Sequence, residues 1–461
     1  MALFAPDKPR TRGEGLQPGS SSLLRVLGLG FGVAVVVGGV VGQGILRTPG
    51  IVAAGLEHPG LILLAWVVAG LLTMVDACSI AELGAADPRT GGPFAYVRLA
   101  FGRAAGFLAG WIDWLAQTAT AAFIAVVFGE CLHRLGLLRD VGDGVVAAGL
   151  LAALTAFHLL GTLIGGWSQN VGSALKALAL LALVAVFFAA RAQNGGHAVA
   201  AGPIGAAAVI TALRAIYATY GSWNAPAYFG EEVQDPGRNL PRALLMGLAL
   251  VMVIYTLVNA ALLHVLGPAG MAKSSLPVAD AAQLAIGANG AWLVTLAALF
   301  IVLTVENTQL MFTPRVLYSM AKDKLLPARL TGTLASGVPA ASLVLTALVA
   351  VALASSGAYE RLLAIYAPLS TLTNALVNLA AIRMRLADPQ RPRPFRMPLF
   401  PVPAIVALLV NGSLTVFFVA QDFASARYAV LLVLSGIPLL LWASRKASGK
   451  SGGPDAALTS R

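Results

Sequence analysis

Charge is what this chain has least of. Only 11% of its 461 residues are Asp, Glu, Lys or Arg, against about a quarter in a soluble globular protein. With 58% hydrophobic residues and a mean hydropathy of +0.81, that scarcity excludes a water-soluble domain. Cysteine is nearly absent, and Cys78 and Cys131 both fall in apolar runs. Neither a disulfide framework nor a cysteine metal cluster follows from them. Histidine is sparse too: His58, His133, His158, His197 and His264 are scattered, none beside a plausible ligand neighbour. No zinc-ligand spacing, Ser/His/Asp set or phosphate-cradling loop is present, so an enzyme is not expected and no cofactor or metal is called for. Residues 1–24 lack an apolar core ahead of a small-residue cleavage site and read as a cytoplasmic tail rather than a signal peptide.

The apolar residues fall into runs of roughly 20, the length that crosses a bilayer, and about twelve such runs can be counted. Short polar connections between them leave no room for a soluble domain. The expected fold is an all-α integral membrane protein with one membrane domain over residues 25–445, followed by a cytoplasmic tail over 446–461. A net charge of +11 invites a nucleic-acid partner, but its placement argues otherwise. With a cytoplasmic N-terminus, most of the 31 Lys and Arg residues sit in cytoplasmic segments. That is the bias of a multi-pass protein with both ends in the cytoplasm of a cell whose inner (plasma) membrane it spans. The lipid bilayer is the partner this implies.

Two runs are interrupted. The first contains Gly42-Gln43-Gly44-Ile45 at mid-span, and the sixth contains Tyr217-Ala218-Thr219-Tyr220-Gly221-Ser222-Trp223. Glycines there release backbone groups from the helix ladder, which lipid tolerates only where they line a cavity or meet a ligand. Broken helices in corresponding positions of two halves point to a transporter with a LeuT-type five-plus-five inverted repeat and a binding site at the midplane. The halves would be 25–190 and 204–385, with helices 11 and 12 over 400–445. Close helix packing at small residues is the alternative reading of either glycine pair.

Several stretches resemble the amino acid permeases of the amino acid, polyamine and organocation superfamily. Gly42-Gln43-Gly44-Ile45-Leu46 resembles the family's broken first helix, though the family usually has Ser or Thr at Gln43 and Phe at Leu46. Ala81-Glu82-Leu83-Gly84 with Pro88-Arg89-Thr90-Gly91-Gly92, Phe101-Gly102 with Gly106 to Trp111, the charged stretch Glu231 to Arg242, Arg315 to Asp323, and Arg393-Pro394-Phe395-Arg396 follow in the family's order. The resemblance implies a secondary-active amino acid transporter working by alternating access. It implies substrate-binding roles for Gly42, Gln43, Gly44 and Ile45, for Tyr217, Tyr220, Gly221 and Trp223 as gate or lining, and for Asn307. The free N–H groups of the half-helix beginning near Gly44 suit a carboxylate, and the carbonyls before Gly42 and Gly221 suit an ammonium.

Lone charges inside spans are functional candidates by default. By resemblance, Lys176 stands where relatives hold a sodium ion, bridging helices 1, 5 and 8, which implies sodium independence. Glu306 is not supplied by the family pattern. It either takes up and releases protons as a coupling ion or pairs with Lys176 or Arg214. Asp76, Asp113 and Glu130 carry the same ambiguity. Arg47 is expected at the outer vestibule, and Glu231 and Glu232 are expected to form an intracellular salt-bridge lock. An obligatory amino acid or polyamine exchanger is the runner-up, and a sensor that no longer transports is the alternative from another class. Which amino acid is carried and the oligomeric state are not written in the sequence.

Overall fold

Helix pairs every backbone N–H and C=O within its own segment, which lipid demands of a spanning chain. The computed structural model describes residue 23 and residues 25–42, 44–191, 205–287, 289–356, 359–421 and 423–448. Among them there is no strand, only an isolated bridge between Leu27 and Val233. In chain order the helices are α1 (Leu29–Val40), α2 (Gly44–Leu56), α3 (Pro59–Ala86), α4 (Pro93–Phe101), α5 (Arg103–Arg134), α6 (Asp143–Leu159), α7 (Thr162–Ala189), α8 (Ala206–Thr219), α9 (Pro236–Lys273), α10 (Pro277–Ile286), α11 (Asn289–Phe312), α12 (Pro314–Lys322), α13 (Ala340–Ser356), α14 (Tyr359–Ala387), α15 (Val402–Gln421), α16 (Phe423–Leu434) and α17 (Ile437–Ser448). A 3-10 turn, Ala225–Phe229, follows α8.

Among the described residues, seven stretches are long and apolar enough to cross a membrane: α3, α5, α7, α9, α11 continued by α12, and most of α14 and α15. An eighth is formed by α1 and α2 taken together, bent by 53° at their break. The chain is a multi-pass, all-helical membrane protein. The other apolar runs fold as shorter helices: α8 stops at Thr219 because the chain leaves the helix at Tyr220, and α16 and α17 are separated at Ser435-Gly436. The most apolar window of α5 is 83% buried, against 33% for α7 and 22% for α15. Thus α5 is the central post, and α7 and α15 present most of their surface to lipid.

Small residues set the closest approaches, as expected where lipid offers no hydrophobic drive between helices. A methyl group at Gly247 of α9 would stand 2.6 Å from Val36 Cβ of α1. Charged residues concentrate at the end of the bundle where α1 begins. Glu82, buried at the end of α3, takes Arg385 at 2.8 Å, Arg393 at 3.2 Å and the Met397 N–H at 2.6 Å. Two family-like stretches some three hundred positions apart in the chain are therefore one ion cluster.

Candidate functional site

The break in the first span is built from backbone that helix can no longer satisfy. α1 ends at Val40, and Val41 turns out of the helix with ψ 88°. Lys176 of α7, fully buried, donates from Nζ to the Gly38 carbonyl at 2.8 Å and to the Val41 carbonyl at 2.6 Å. Tyr255 of α9 donates to the Val40 carbonyl at 2.8 Å. The expectation that carbonyls before Gly42 wait for an ammonium is therefore corrected: side chains from α7 and α9 already occupy them. Buried carbonyls without partners are costly, and these are satisfied by donors from α7 and α9.

The second break touches the first. After Thr219 the chain passes through Tyr220 and Gly221 to Ser222, which adopts a left-handed φ of 60°, before the 3-10 turn. A methyl group at Gly39 would lie 2.9 Å from the Ser222 carbonyl oxygen, and one at Gly44 would lie 2.7 Å from Thr219 Cγ2. Glycine at 39 and 44 is thus what lets α1 and α2 approach the broken α8. Thr48 and Thr219 then share a hydroxyl hydrogen bond of 2.8 Å.

A cavity of about 440 Å³ opens at this junction. Gly39, Gly42, Gly44, Arg47 and Thr48 line it from the first span, and Ala218, Thr219, Gly221 and Ser222 from the broken α8. α5 adds Thr120, Phe123 and Ile124, α11 adds Val302 and Val305, and Tyr366 and Phe418 come from α14 and α15. None of the described lining residues is acidic, and Arg47 is the charged one among them. Arg47 lies 3.9 Å from Glu130, and its side chain is 39% exposed, so the cavity is not sealed where Arg47 lines it.

The residues singled out by sequence distribute unevenly. Gly42, Gly44 and Gly221 line the cavity; Gln43 lies outside the described residues. Ile45 is buried in the hydrophobic core instead. Tyr217 turns away, donating to Asp76 Oδ2 at 2.7 Å, and with Trp223 it borders a side pocket of about 50 Å³. Tyr220 is fully buried against Trp66 and Tyr255. In this conformation neither tyrosine closes over the cavity. Asn307 donates to Gln169 of α7 at 2.8 Å, away from the cavity. Glu306 is fully buried, and neither carboxyl oxygen has a hydrogen-bond partner among the described residues. It pairs with neither Lys176 nor Arg214: the first holds the α1 carbonyls, and the second lies 3.7 Å from the centre of the Phe417 ring. Asp76 is the opposite case, holding Tyr217, Asn378 and Asn411 together. Phe123, Tyr366, Val302 and Val305 had no sequence signal, since apolar side chains facing a cavity and facing lipid are written alike.

The opposite end of the cavity is shut. Tyr228 of the 3-10 turn donates to Asp113 at 2.9 Å, and Phe229 meets Phe31 edge-on with centroids 5.2 Å apart. Arg315 of α12 lies over the Phe229 ring and holds Glu232 through Nη2 at 2.6 Å, both side chains buried. Glu231 holds Lys322 at 2.7 Å. The Leu27 N–H donates to the Glu232 carbonyl at 2.9 Å, and the Gln234 N–H to the Leu27 carbonyl at 2.8 Å. Both glutamates of the pair are ion-paired, Glu232 with an arginine and Glu231 with a lysine.

Two broken helices meeting at a cavity in a membrane bundle form an arrangement found in many transporters. Residues 27–441 match the family model described as amino acid permease, so the chain belongs to the amino acid permease family. It is 26% identical over 429 residues to the b(0,+)-type amino acid transporter 1 of Mus musculus, covering 91% of this chain and 88% of that one. It is 28% identical over 314 residues to the serine/threonine exchanger SteT of Bacillus subtilis (strain 168), covering 67% and 70%. It is 28% identical over 437 residues to the large neutral amino acids transporter small subunit 2 of Rattus norvegicus, covering 91% and 81%. The family and these relatives are transporters rather than enzymes.

Proposed function

We propose that the protein is a secondary-active amino acid carrier that works by alternating access, independent of sodium and coupled to protons. The observation that carries this reading is the cavity at the contact of two broken helices, open at one end and locked at the other. The N-terminal end of α2 and the C-terminal end of α8 both reach it. Their dipole ends are positive and negative respectively, which suits the carboxylate and ammonium of a zwitterion through Gly42, Gly44 and Gly221. The apolar lining with Arg47 as its charged member suits a neutral side chain. It disfavours a polyamine, which needs carboxylates to desolvate against.

Pairing α1 with α2, α8 with its 3-10 turn, α11 with α12 and α16 with α17 yields about twelve spans of bilayer-crossing length. Each group of five then starts with a broken helix, in support of the inverted repeat and of a single transport domain over 25–445. The positive-inside bias supports an inner (plasma) membrane with both termini cytoplasmic, and the open end of the cavity then faces outward. Lys176 in the place of a cation supports sodium independence. Glu306, without a hydrogen-bond partner among the described residues, supports proton coupling; Ile45, Tyr217, Tyr220, Trp223 and Asn307 keep the site roles that the resemblance gives them in states other than this one, and Gln43 keeps its role by resemblance alone. Obligatory exchange is the second reading, favoured by the relative named as a serine/threonine exchanger.

The test is uptake of a panel of labelled amino acids into proteoliposomes, with and without a pH gradient and with and without internal substrate. Accumulation driven by the gradient into empty vesicles is the expected result. Uptake only when amino acid is trapped inside selects exchange, and no uptake of any amino acid overturns the proposal.

A further inference from the structure

From the closed end of the cavity a strip of polar side chains runs along the seam of α5 and α11. On α5, Gln117 stands one turn from the cavity-lining Thr120, and Asp113 one turn further. On α11, Gln309 shares a helix face with Glu306 and the cavity-lining Val302. Tyr228 caps the strip, with its hydroxyl donating to Asp113 Oδ1 at 2.9 Å and its ring centroid 4.6 Å from that of Phe312. Gln117 Nε2 lies 3.4 Å from the same Asp113 oxygen, and Gln309 Nε2 lies 3.5 Å from Gln117 Oε1. All four side chains are buried.

The donor groups of this strip have acceptors, but the acceptors exceed the donors. Asp113 Oδ2 and Gln309 Oε1 are buried with no hydrogen-bond partner among the described residues. Among the described residues no cation compensates the carboxyl: Arg98 of α4 is paired with Asp323, and Arg315 of α12 with Glu232. Tyr366 of α14 and Tyr228 are the titratable groups beside Asp113, with Glu306 a turn from Gln309. α13 brings Thr346 to Trp114 rather than a charge. α6 meets α5 toward its far end, where Asp143 faces Gly129, and the Arg427 of α16 is exposed beside Tyr428. A bare anion here would be neither solvated nor paired, and a proton is the smallest ligand that relieves it.

We propose that Asp113 is a proton-binding site that locks the inner gate: buried behind the closed Ala225–Phe229 turn with no compensating cation among the described residues, the carboxyl takes a proton, which leaves to the inner solution as the turn withdraws. The proposal rests on the alternating-access reading above and adds to it a site distinct from Glu306. The closed state binds the proton more tightly than an open state in which water reaches the carboxylate, and a ligand shifts a conformational equilibrium toward the state that binds it better. On release the O–H bond at Asp113 breaks, its electron pair remains on the carboxylate, and the proton passes to water.

Hydrogen–deuterium exchange of the full-length protein, corrected for intrinsic rates, reads this gate without any substrate. Segment 225–235 should lose protection by about tenfold as pH rises from about 5 to about 9. Asp113→Asn, neutral at every pH, should stay protected throughout, and Glu306→Gln should keep the wild-type profile. Tyr228→Phe, which leaves the carboxyl in place but cannot donate to it, should lose the protection seen at acid pH. A pH profile that persists in Asp113→Asn, that vanishes in Glu306→Gln, or that is absent from the wild type overturns the proposal, as does a Tyr228→Phe protein protected like the wild type. Absence of amino acid uptake would instead overturn the transport reading, which this measurement does not use.

Discussion

The ammonium of Lys176 lies 2.8 Å from the carbonyl oxygen of Gly38, one helix filling the gap in another with a charge. With the second bond to Val41 at 2.6 Å, the lysine holds the unwound backbone after α1, and its proposed role is to stand in for a cation there. Replacing sodium with choline should therefore leave uptake into proteoliposomes unchanged. Lys176→Met, which keeps most of the stem, should destabilise the protein by about 1–3 kcal/mol for each orphaned carbonyl, read as a lower melting temperature. A sodium requirement in the wild type would remove the assignment.

Gly42 and Gly44 should behave differently although one residue separates them. A Cβ on Gly42 meets nothing nearer than the Val40 carbonyl oxygen at 3.7 Å, whereas one on Gly44 meets Thr219 Cγ2 at 2.7 Å. Gly42→Ala should raise the KM several-fold, by about 1 kcal/mol of lost binding, and leave the size-exclusion profile intact. Gly44→Ala should lower stability, with partial rescue by Thr219→Ser, which deletes the crowding methyl group. Equal stability loss in both single variants would contradict this division.

Glu306→Gln keeps the shape of the side chain and cannot ionise. Because neither oxygen has a partner among the described residues, stability should hold or rise in a thermal-shift assay. Exchange of external for internal amino acid should persist, while accumulation driven by a pH gradient should disappear. Undiminished accumulation would end the coupling role of this residue.

Two ion pairs of the lock should differ in worth. Glu232 and Arg315 are buried, and Glu232→Gln leaves the guanidinium without its counter-charge, at a cost of about 3–5 kcal/mol. Glu231 and Lys322 are partly exposed, and Glu231→Gln should cost less than about 1 kcal/mol. Chemical denaturation of the purified variants measures both. Similar losses would mean that burial does not set the strength of this lock.

What could be read from sequence was whatever stood out against an apolar background. Gly42, Gly44 and Gly221 marked the breaks because glycine at mid-span frees backbone, and Lys176, Glu231 and Glu232 were conspicuous as charges. The orientation of Tyr217 and Tyr220 was not legible, because the twist of a chain leaving a helix is set by tertiary contacts such as Asp76 and Trp66. Nor was the contact of Glu82 with Arg393: both motifs could be recognised, but not their meeting across the fold. The cavity walls at Phe123, Val302, Val305 and Tyr366 were silent because in a membrane the inside and the outside of a helix bundle are equally apolar.

The bridge at Leu27 and Val233 joins the segment entering α1 to the segment leaving the 3-10 turn through two backbone hydrogen bonds. Those bonds belong to the backbone, so among substitutions only proline at 27 or 234 deletes a donor. The entry to α1 and the exit of the 3-10 turn are consequently tied to each other. Moving either segment away from the other costs both bonds, so an opening of the closed end, as proposed above, is expected to carry the two segments together.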